Sequence, residues 1–388
     1  MSAVDSRAFS QPRRPGDVES ASAVIEPSRF RVAVDGVEMV GVAGSFALDL
    51  TVPGGGAAAM GGVTWVSVAA THRRRGLLRG LLQAVHADID ERGEPCAGLT
   101  ASEGAIYGRF GYGEASRVCK VTIDLSTVRF RADCTPPPGT VRYLDPDDAE
   151  GRLPDLWEQH RRGTPGETSR SPARWGNVFR DFEAGDGFTE AFLLAHRNGY
   201  AAYRARGGWE EGHPTHEVEV LELVALTPEA HLALWYTLLH LDLVRTVTST
   251  SVPLDDPLPL LLENPRAMRV SGIRDYLWLR PSHPDALLAA RTYAVEDRVV
   301  IEVHDEDANT KPVCWELDGG PDGASVTRTR RRPDVVLGRA GLGSIALGDR
   351  TASYLARGGR VEERTAGALR RVDLLFSVDR LPFSQNPF

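Results

Sequence analysis

Apolar and other positions alternate through Phe30-Arg31-Val32-Ala33-Val34, a period of two that predicts a half-buried strand. Asp35-Gly36 is a tight-turn signal, and Val37 to Leu50 resumes strand-like sequence, so an antiparallel hairpin is expected. The glycine-rich stretch Gly54–Gly62 reads as a loop before the β-branched strand Val63–Val68. The period then changes. Leu77, Leu78, Leu81, Leu82, Val85 and Ile89 recur at helical spacing and predict one apolar stripe, with Thr71 as N-cap and Gly93 as terminator. Cys96–Thr100 predicts another short strand, and Ile106–Phe110 a short helix.

Three prolines in Cys134-Thr135-Pro136-Pro137-Pro138-Gly139 remove three backbone donors and fix three φ angles, which marks a boundary. Beyond it, Phe192–Ala195, Tyr200–Tyr203 and Glu217–Ala225 read as strands and Pro228–Asp242 as a helix. A second boundary falls either at the proline cluster between Val252 and Pro265 or slightly later near Pro281 to Pro284; with the later one the expected domains are 1–136, 137–284 and 285–388. In the last, Val299–Val303, Cys314–Leu317 and Ala324–Arg328 read as antiparallel strands, with helices around Asp334, over Gly341–Leu347 and near the C-terminus. The segment before Phe30 has no sustained period and is expected to be helical only in part. The class is mixed α+β.

Composition narrows the function classes. The 388 residues carry 45 basic and 53 acidic side chains, a net charge of −8, which argues against whole-surface attraction to nucleic acid or anionic membrane. Cys96, Cys119, Cys134 and Cys314 show neither C-x-x-C spacing nor histidines at zinc-finger intervals, so no disulfide framework or metal site is expected and a reducing cytoplasm fits. The longest uncharged stretch, Leu50 to His72, contains Pro53 and five glycines and does not read as a membrane span. Arg13-Arg14 is followed by Pro15-Gly16-Asp17-Val18-Glu19 rather than the apolar core of an export signal.

The segment Val66-Ser67-Val68-Ala69-Ala70-Thr71-His72-Arg73-Arg74-Arg75-Gly76-Leu77-Leu78 carries the candidate chemistry. A strand delivers the chain through an arginine-rich turn to a helix N-terminus, where unpaired N–H groups and the helix dipole suit an anionic diphosphate. The pattern resembles the acetyl-CoA motif of GNAT N-acetyltransferases, R/Q-x-x-G-x-G/A, with Arg73, Gly76 and Leu78 at its positions; Leu78 stands where Gly or Ala is usual. The run Thr71-His72-Arg73-Arg74-Arg75-Gly76-Leu77-Leu78 is similar to one branch, the bacterial enhanced intracellular survival (Eis) acetyltransferases. A second Eis-like segment, Ala101-Ser102-Glu103-Gly104-Ala105-Ile106-Tyr107-Gly108-Arg109-Phe110-Gly111-Tyr112-Gly113, follows in order, and weaker similarity continues to the C-terminus.

The resemblance implies tandem GNAT-like domains followed by a domain of the sterol carrier type, assembled as a homohexamer. It implies acetyl-CoA as co-substrate, with the thioester and pantetheine on Val66, Ser67 and Val68, and the pyrophosphate against Arg74, Arg75, Gly76, Leu77, Leu78 and Arg79. Ser102 and Glu103 would lie further along it, with Arg73 assisting electrostatically. Acetyl transfer requires a neutral amine, an oxyanion donor and a proton for the departing thiolate. The Val68 N–H is the implied donor. Tyr107 is the implied acid, a phenol of pKa ~10 serving a thiol near ~8.5. The implied base is the α-carboxylate of Phe388, weak at pKa ~3.3–3.7 unless desolvated or relayed by water.

Expected acceptors are primary amines of polycationic small molecules of the aminoglycoside type, and also lysine side chains. Pro387 stands where an acidic residue is usual, which weakens the charge-based preference. Phe9 and Gln11 fall where pocket residues are expected, and the first clear strand begins early, so either part of the amine pocket is missing or translation starts upstream. A second class stays open: a non-catalytic binding or scaffold protein whose carrier-like domain holds an apolar ligand. Tyr112 reads as a packing residue, His72 as a solvated neighbour, and Arg328, Arg330, Arg331 and Arg332 as a solvated or intersubunit face.

Overall fold

Local signals and packing constraints can be followed along the chain in the computed structural model, which describes residues 1–10, 16–181, 187–305 and 311–388. Gln11, Arg13 and Arg14 lie outside the described residues. Helices α1 (Ser2–Ala8) and α2 (Asp17–Val24) lead into strand β1 (Phe30–Asp35). Gly36, at φ +61°, turns the chain into β2 (Glu38–Thr51), antiparallel to β1. Strand β3 spans Ala57–Val68 and so begins inside the stretch expected as a loop. Its glycines make room rather than turns: a Cβ at Gly61 would meet Ile89 at 2.5 Å, and one at Gly62 would meet Leu48 at 2.5 Å and Phe388 at 2.9 Å.

Helix α3 (Leu77–Glu91) starts six residues after Thr71, the expected cap, because Ala70–His72 form a separate 3₁₀ turn and Arg74 and Gly76 both take positive φ. It buries Leu81, Leu82, Val85 and Ile89, each contributing about 1.5–3 kcal/mol by leaving water. Gly93, at φ +69°, follows its last turn. Next come β4 (Cys96–Thr100), α4 (Gly104–Tyr107) and β5 (Gly113–Glu114).

The chain then builds a second sheet. Its strands are β6 (Arg117–Asp124), β7 (Arg142–Leu144), β8 (Phe192–His196), β9 (Gly199–Arg206), β12 (His216–Ala225), β13 (Val244–Val252) and β14 (Met268–Asp275), in the order β14-β6-β13-β12-β9-β8-β7. A separate short ladder joins β10 (Trp209–Glu210) to β11 (His213–Pro214). Helices α5 (Pro146–Arg162), α6 (Pro172–Asp181), α7 (Pro228–Leu238) and α8 (Leu258–Leu261) belong to this part. Thr227 caps α7 by accepting from the Ala230 N–H at 3.2 Å. Arg170 and Glu222 form a buried ion pair, and Arg170 stacks 3.3 Å from the Trp157 ring centroid. Cutting such a pair on one side leaves an uncompensated buried charge.

Strand β15 (Leu277–Pro281) returns to the first sheet, whose order is β1-β2-β3-β4-β15-β5. Then follow α9 (Pro284–Ala289), β16 (Asp297–His304), β17 (Val313–Gly320), β18 (Gly323–Thr329), β19 (Val335–Gly338), α10 (Arg339–Ile345), α11 (Ala352–Arg357), β20 (Val361–Glu363) and α12 (Ala368–Phe376). The third sheet runs β18-β17-β16-β19-β20. The helix expected around Asp334 is replaced by β19. Its β-branched Val335 and Val336 pair parallel with Ile301 and Glu302, and the Asp334 carboxylate accepts from the Val300 N–H at 2.9 Å.

Two compact units result: Met1–Ser116, Thr164–Ser169 and Asp275–Phe388 form one, Arg117–Gly163 and Arg170–Arg274 the other. The sheets therefore interleave along the sequence, with β6 ahead of residue 136 and β15 ahead of residue 284. All four cysteines are free thiols. Among the described residues no helix is long and apolar enough to cross a membrane, and no group of three or more His, Cys, Asp or Glu side chains could hold a metal ion.

Candidate active site

Strands β3 and β4 run side by side only through Met60–Cys96, Gly61–Ala97 and Gly62–Gly98. On its other edge β3 stays paired with β2 as far as Val68, opposite Gly41. Between Ser67 and Thr64 it spends two residues, Val66 and Trp65, against the single Ala43 on β2, a bulge with Trp65 at φ +55°. Past Gly62 the parallel pair has therefore splayed, and among the described residues 63–68 have no strand partner on the β4 side. Ala69 N–H donates to Val40 O at 2.8 Å. In an antiparallel ladder the next residue, Val68, turns its N–H and C=O the opposite way, into the gap.

The gap opens into a cavity of about 730 Å³. Its wall includes Val66, Ser67 and Val68 from β3, Arg74, Gly76, Leu77, Leu78 and Arg79 from the turn and α3, and Ser102, Glu103 and Tyr107 from the second motif. Arg75, exposed on the same turn, and Phe388 are not among the described lining residues. His72 and Arg73 line the cavity as well; the His72 ring also reaches Asp35 at 3.0 Å.

Among the described residues no side chain caps the free N–H groups at the start of α3, and no acidic residue occupies its first turn. Only with Gly80, whose N–H reaches Gly76 O at 3.1 Å, does helical bonding begin. Arg74 at φ +64° and Gly76 at φ +82° put two left-handed residues in the turn that leads into the uncapped amides of α3, with arginine charge around them. The donor set fits a diphosphate. A Cβ on Gly76 would meet nothing within 4 Å, so glycine is needed there for φ alone. Gly76→Ala should cost about 1–2 kcal/mol in that turn and weaken acetyl-CoA on the order of tenfold, read by calorimetry. Unchanged affinity would remove the turn from the site.

Tyr107 ends α4 and is 6% exposed. Burial, and secondarily the charge of Glu103, push its phenol above the ordinary range, which keeps it a proton carrier at neutral pH. Its ring packs edge-on against Tyr112 at 6.0 Å. Tyr112 is fully buried and its hydroxyl is bonded to His86 Nε2 at 2.9 Å, while burial and the charges of Arg280 and Arg339 hold His86 well below its usual pKa. Tyr112 is thus a packing residue behind Tyr107.

Phe388 is partly buried in the cluster around Met60 and Leu277, with its ring over Gly62, where the parallel ladder ends. Gly62 stands four residues before Val66, roughly 13 Å along an extended strand. Several lining groups were not singled out from sequence: Ala8, Ser10, Ile106, Arg109 and Phe110. The last three sit inside the Ala101–Gly113 segment, so their signal was proximity to Tyr107. Phe9, expected at the pocket, does line the cavity. Ser67 Oγ donates to Asp5 Oδ1 at 2.8 Å, a tie from α1 to β3 with no local sequence signal.

Residues 1–115 and 166–281 each match a family model for an acetyltransferase (GNAT) domain, and residues 284–385 one for a sterol carrier protein domain. The N-acetyltransferase Eis of Mycobacterium tuberculosis is 38% identical over 354 residues, covering 89% of this chain and 84% of that protein. An uncharacterized N-acetyltransferase of Streptomyces avermitilis is 37% identical, with 91% and 88% covered. The crystal structure of Eis1 from Mycobacterium abscessus superposes with a TM-score of 0.87 at 34% identity, covering 100% of this chain and 96% of that one. A GCN5-related N-acetyltransferase from Anabaena variabilis, at 21% identity and TM-score 0.82, shares the fold.

Proposed function

Because this chain belongs to the Eis family of N-acetyltransferases, enzymes of the GNAT fold that draw on acetyl-CoA, we propose that its acceptors are primary amines of polycationic small molecules, aminoglycosides among them, and lysine side chains. The observation that carries the reading is the splay of β3 from β4 beyond Gly62, which opens on one cavity shared by the uncapped start of α3 and by Tyr107. Acetyl-CoA supplies an activated acyl group on a thiol leaving group. The turn and first amides of α3 hold its diphosphate, and the open edge at Val66–Val68 aligns its pantetheine arm. The Val68 N–H is the donor for charge developing on the carbonyl oxygen.

Tyr107 delivers the proton to the leaving sulfur, and the Phe388 carboxylate takes the proton from the amine. The Phe388 side chain is seated against the apolar cluster that includes Met60 and Leu277, which holds the last residue beside the strand that carries Val66–Val68. The chain's formal charge of −8 draws polycations from a distance. We include assembly as a homohexamer in the proposal.

The test is thiol release from acetyl-CoA across a panel holding an aminoglycoside, a linear diamine, a lysine peptide and a neutral monoamine. The polycations should exceed the monoamine in kcat/KM on the order of tenfold, the equivalent of about 1.4 kcal/mol. Thiol release independent of any amine would refute the acceptor class. A scaffold protein would release none.

A further inference from the structure

The C-terminal segment reaches its seat by a route that no local signal announces. Residues 164–169 lie against β2: Thr51 N–H donates to Glu167 O at 2.9 Å, Gly166 N–H to Thr51 O at 2.8 Å, and Ser169 N–H to Asp49 O at 3.0 Å. On this added rung sits the tail. Phe383 N–H donates to Pro165 O at 2.8 Å. The Glu167 side chain, in a fully buried residue, accepts from Ser384 Oγ at 3.1 Å, from the Gln385 N–H at 3.0 Å and from the Thr168 N–H at 3.0 Å. Asn386 Nδ2 donates to Thr168 Oγ1 at 2.8 Å and approaches Ser169 O at 3.4 Å. Ser384, Gln385 and Asn386 are all buried.

Two residues after this grip, Phe388 lies over Gly62. Pro387 between them has its φ fixed by the ring, so little slack separates the held amide of Asn386 from the last residue. Both ends of the device rest on one strand, since Leu50 bridges Thr168 while Phe46 pairs with Gly62. We propose that Glu167 is a positioning residue for catalysis: it latches the tail so that Phe388 is held at the mouth of the β3/β4 splay. The inference rests on the reading of Phe388 as the base. Glu167 itself touches neither reacting atom.

A carboxylate suits this task because Ser384 Oγ–H and the Gln385 N–H both point at it and both need acceptors. Glu167→Gln keeps the shape but offers one acceptor oxygen and turns an NH₂ toward a donor. A shift of the order of an ångström at a reacting group costs much in rate and little in substrate binding. The experiment compares the parent, Glu167→Gln, Asn386→Ala and a chain lengthened by one residue after Phe388, alone and combined, by steady-state kinetics with thermal melting alongside.

Glu167→Gln should lower kcat on the order of tenfold with acetyl-CoA KM unchanged, and Asn386→Ala should act in the same direction. The lengthened chain should fall at least as far, and adding Glu167→Gln to it should lower the residual rate no further. Should Glu167→Gln fail to fold, Asn386→Ala, which removes only the neighbouring amide, reads the same kcat. A lengthened chain at parental kcat overturns the base reading and the latch with it. A crippled lengthened chain beside latch variants at parental kcat overturns the latch alone. Full additivity of the two changes also overturns it, because the tail would then not carry the effect.

Discussion

Tyr107→Phe is expected to lower kcat by about 10²–10⁴-fold while leaving acetyl-CoA KM within about twofold, the signature of losing a proton donor used only in the transition state. The substitution removes one oxygen and keeps the ring, so the edge-on contact with Tyr112 survives and the fold has no reason to change. The pH profile gives the sign. An acid must be protonated to act, so activity is lost as pH rises through its pKa in the folded enzyme. Burial and the nearby Glu103 raise that pKa above the ordinary value of ~10, which puts the descending limb on the far alkaline side. Glu103→Gln should move the limb toward lower pH, and Tyr107→Phe should abolish it. Steady-state rates between neutral and alkaline pH, corrected for spontaneous thioester hydrolysis, decide the matter; parental kcat in Tyr107→Phe would refute the acid role.

Gly113→Ala is expected to destabilise the first unit by about 3 kcal/mol. A Cβ on Gly113 would overlap the Ala340 carbonyl oxygen of α10, and one on Gly343 of the same helix would overlap the Leu279 carbonyl oxygen of β15. Both obstacles are backbone atoms, so no side chain can swing aside. The helix would have to lift from strands β5 and β15, exposing part of a core that includes Leu279, Ala346 and Leu347. Gly151, inside α5, is the control: its Cβ would meet nothing, and Gly151→Ala should stabilise by about 0.5–1 kcal/mol. Urea unfolding separates the two, and equal midpoints for Gly113→Ala and the parent would show that α10 is not packed this tightly.

The apolar stripe of α3 was legible because a helix writes its buried face into the sequence every three or four residues, and Leu81, Leu82, Val85 and Ile89 do so. The β1–β2 hairpin was legible for a similar reason, with its turn signal placed between alternating runs. Where packing rather than periodicity chose the residue, the reading slipped. Gly61 and Gly62 look like loop residues until Ile89, Leu48 and Phe388 are found pressed against them. Val335 and Val336 became strand because β16 lay alongside to pair with them.

The sequence by itself determined the amphipathic helix after a β-branched strand, the arginine-rich turn with glycine at its end, and the Ala101–Gly113 segment that carries Tyr107. All are encoded by neighbours within about a helical turn or a strand, the range over which backbone geometry correlates side chains. Only the tertiary structure decided that β15 completes the first sheet, that β3 and β4 part after Gly62, and that Glu167 grips Ser384 and Gln385. Those contacts join residues up to 218 positions apart. Their energy comes from burial and complementary donors brought together by the whole fold, so neither partner carries a local mark of the other.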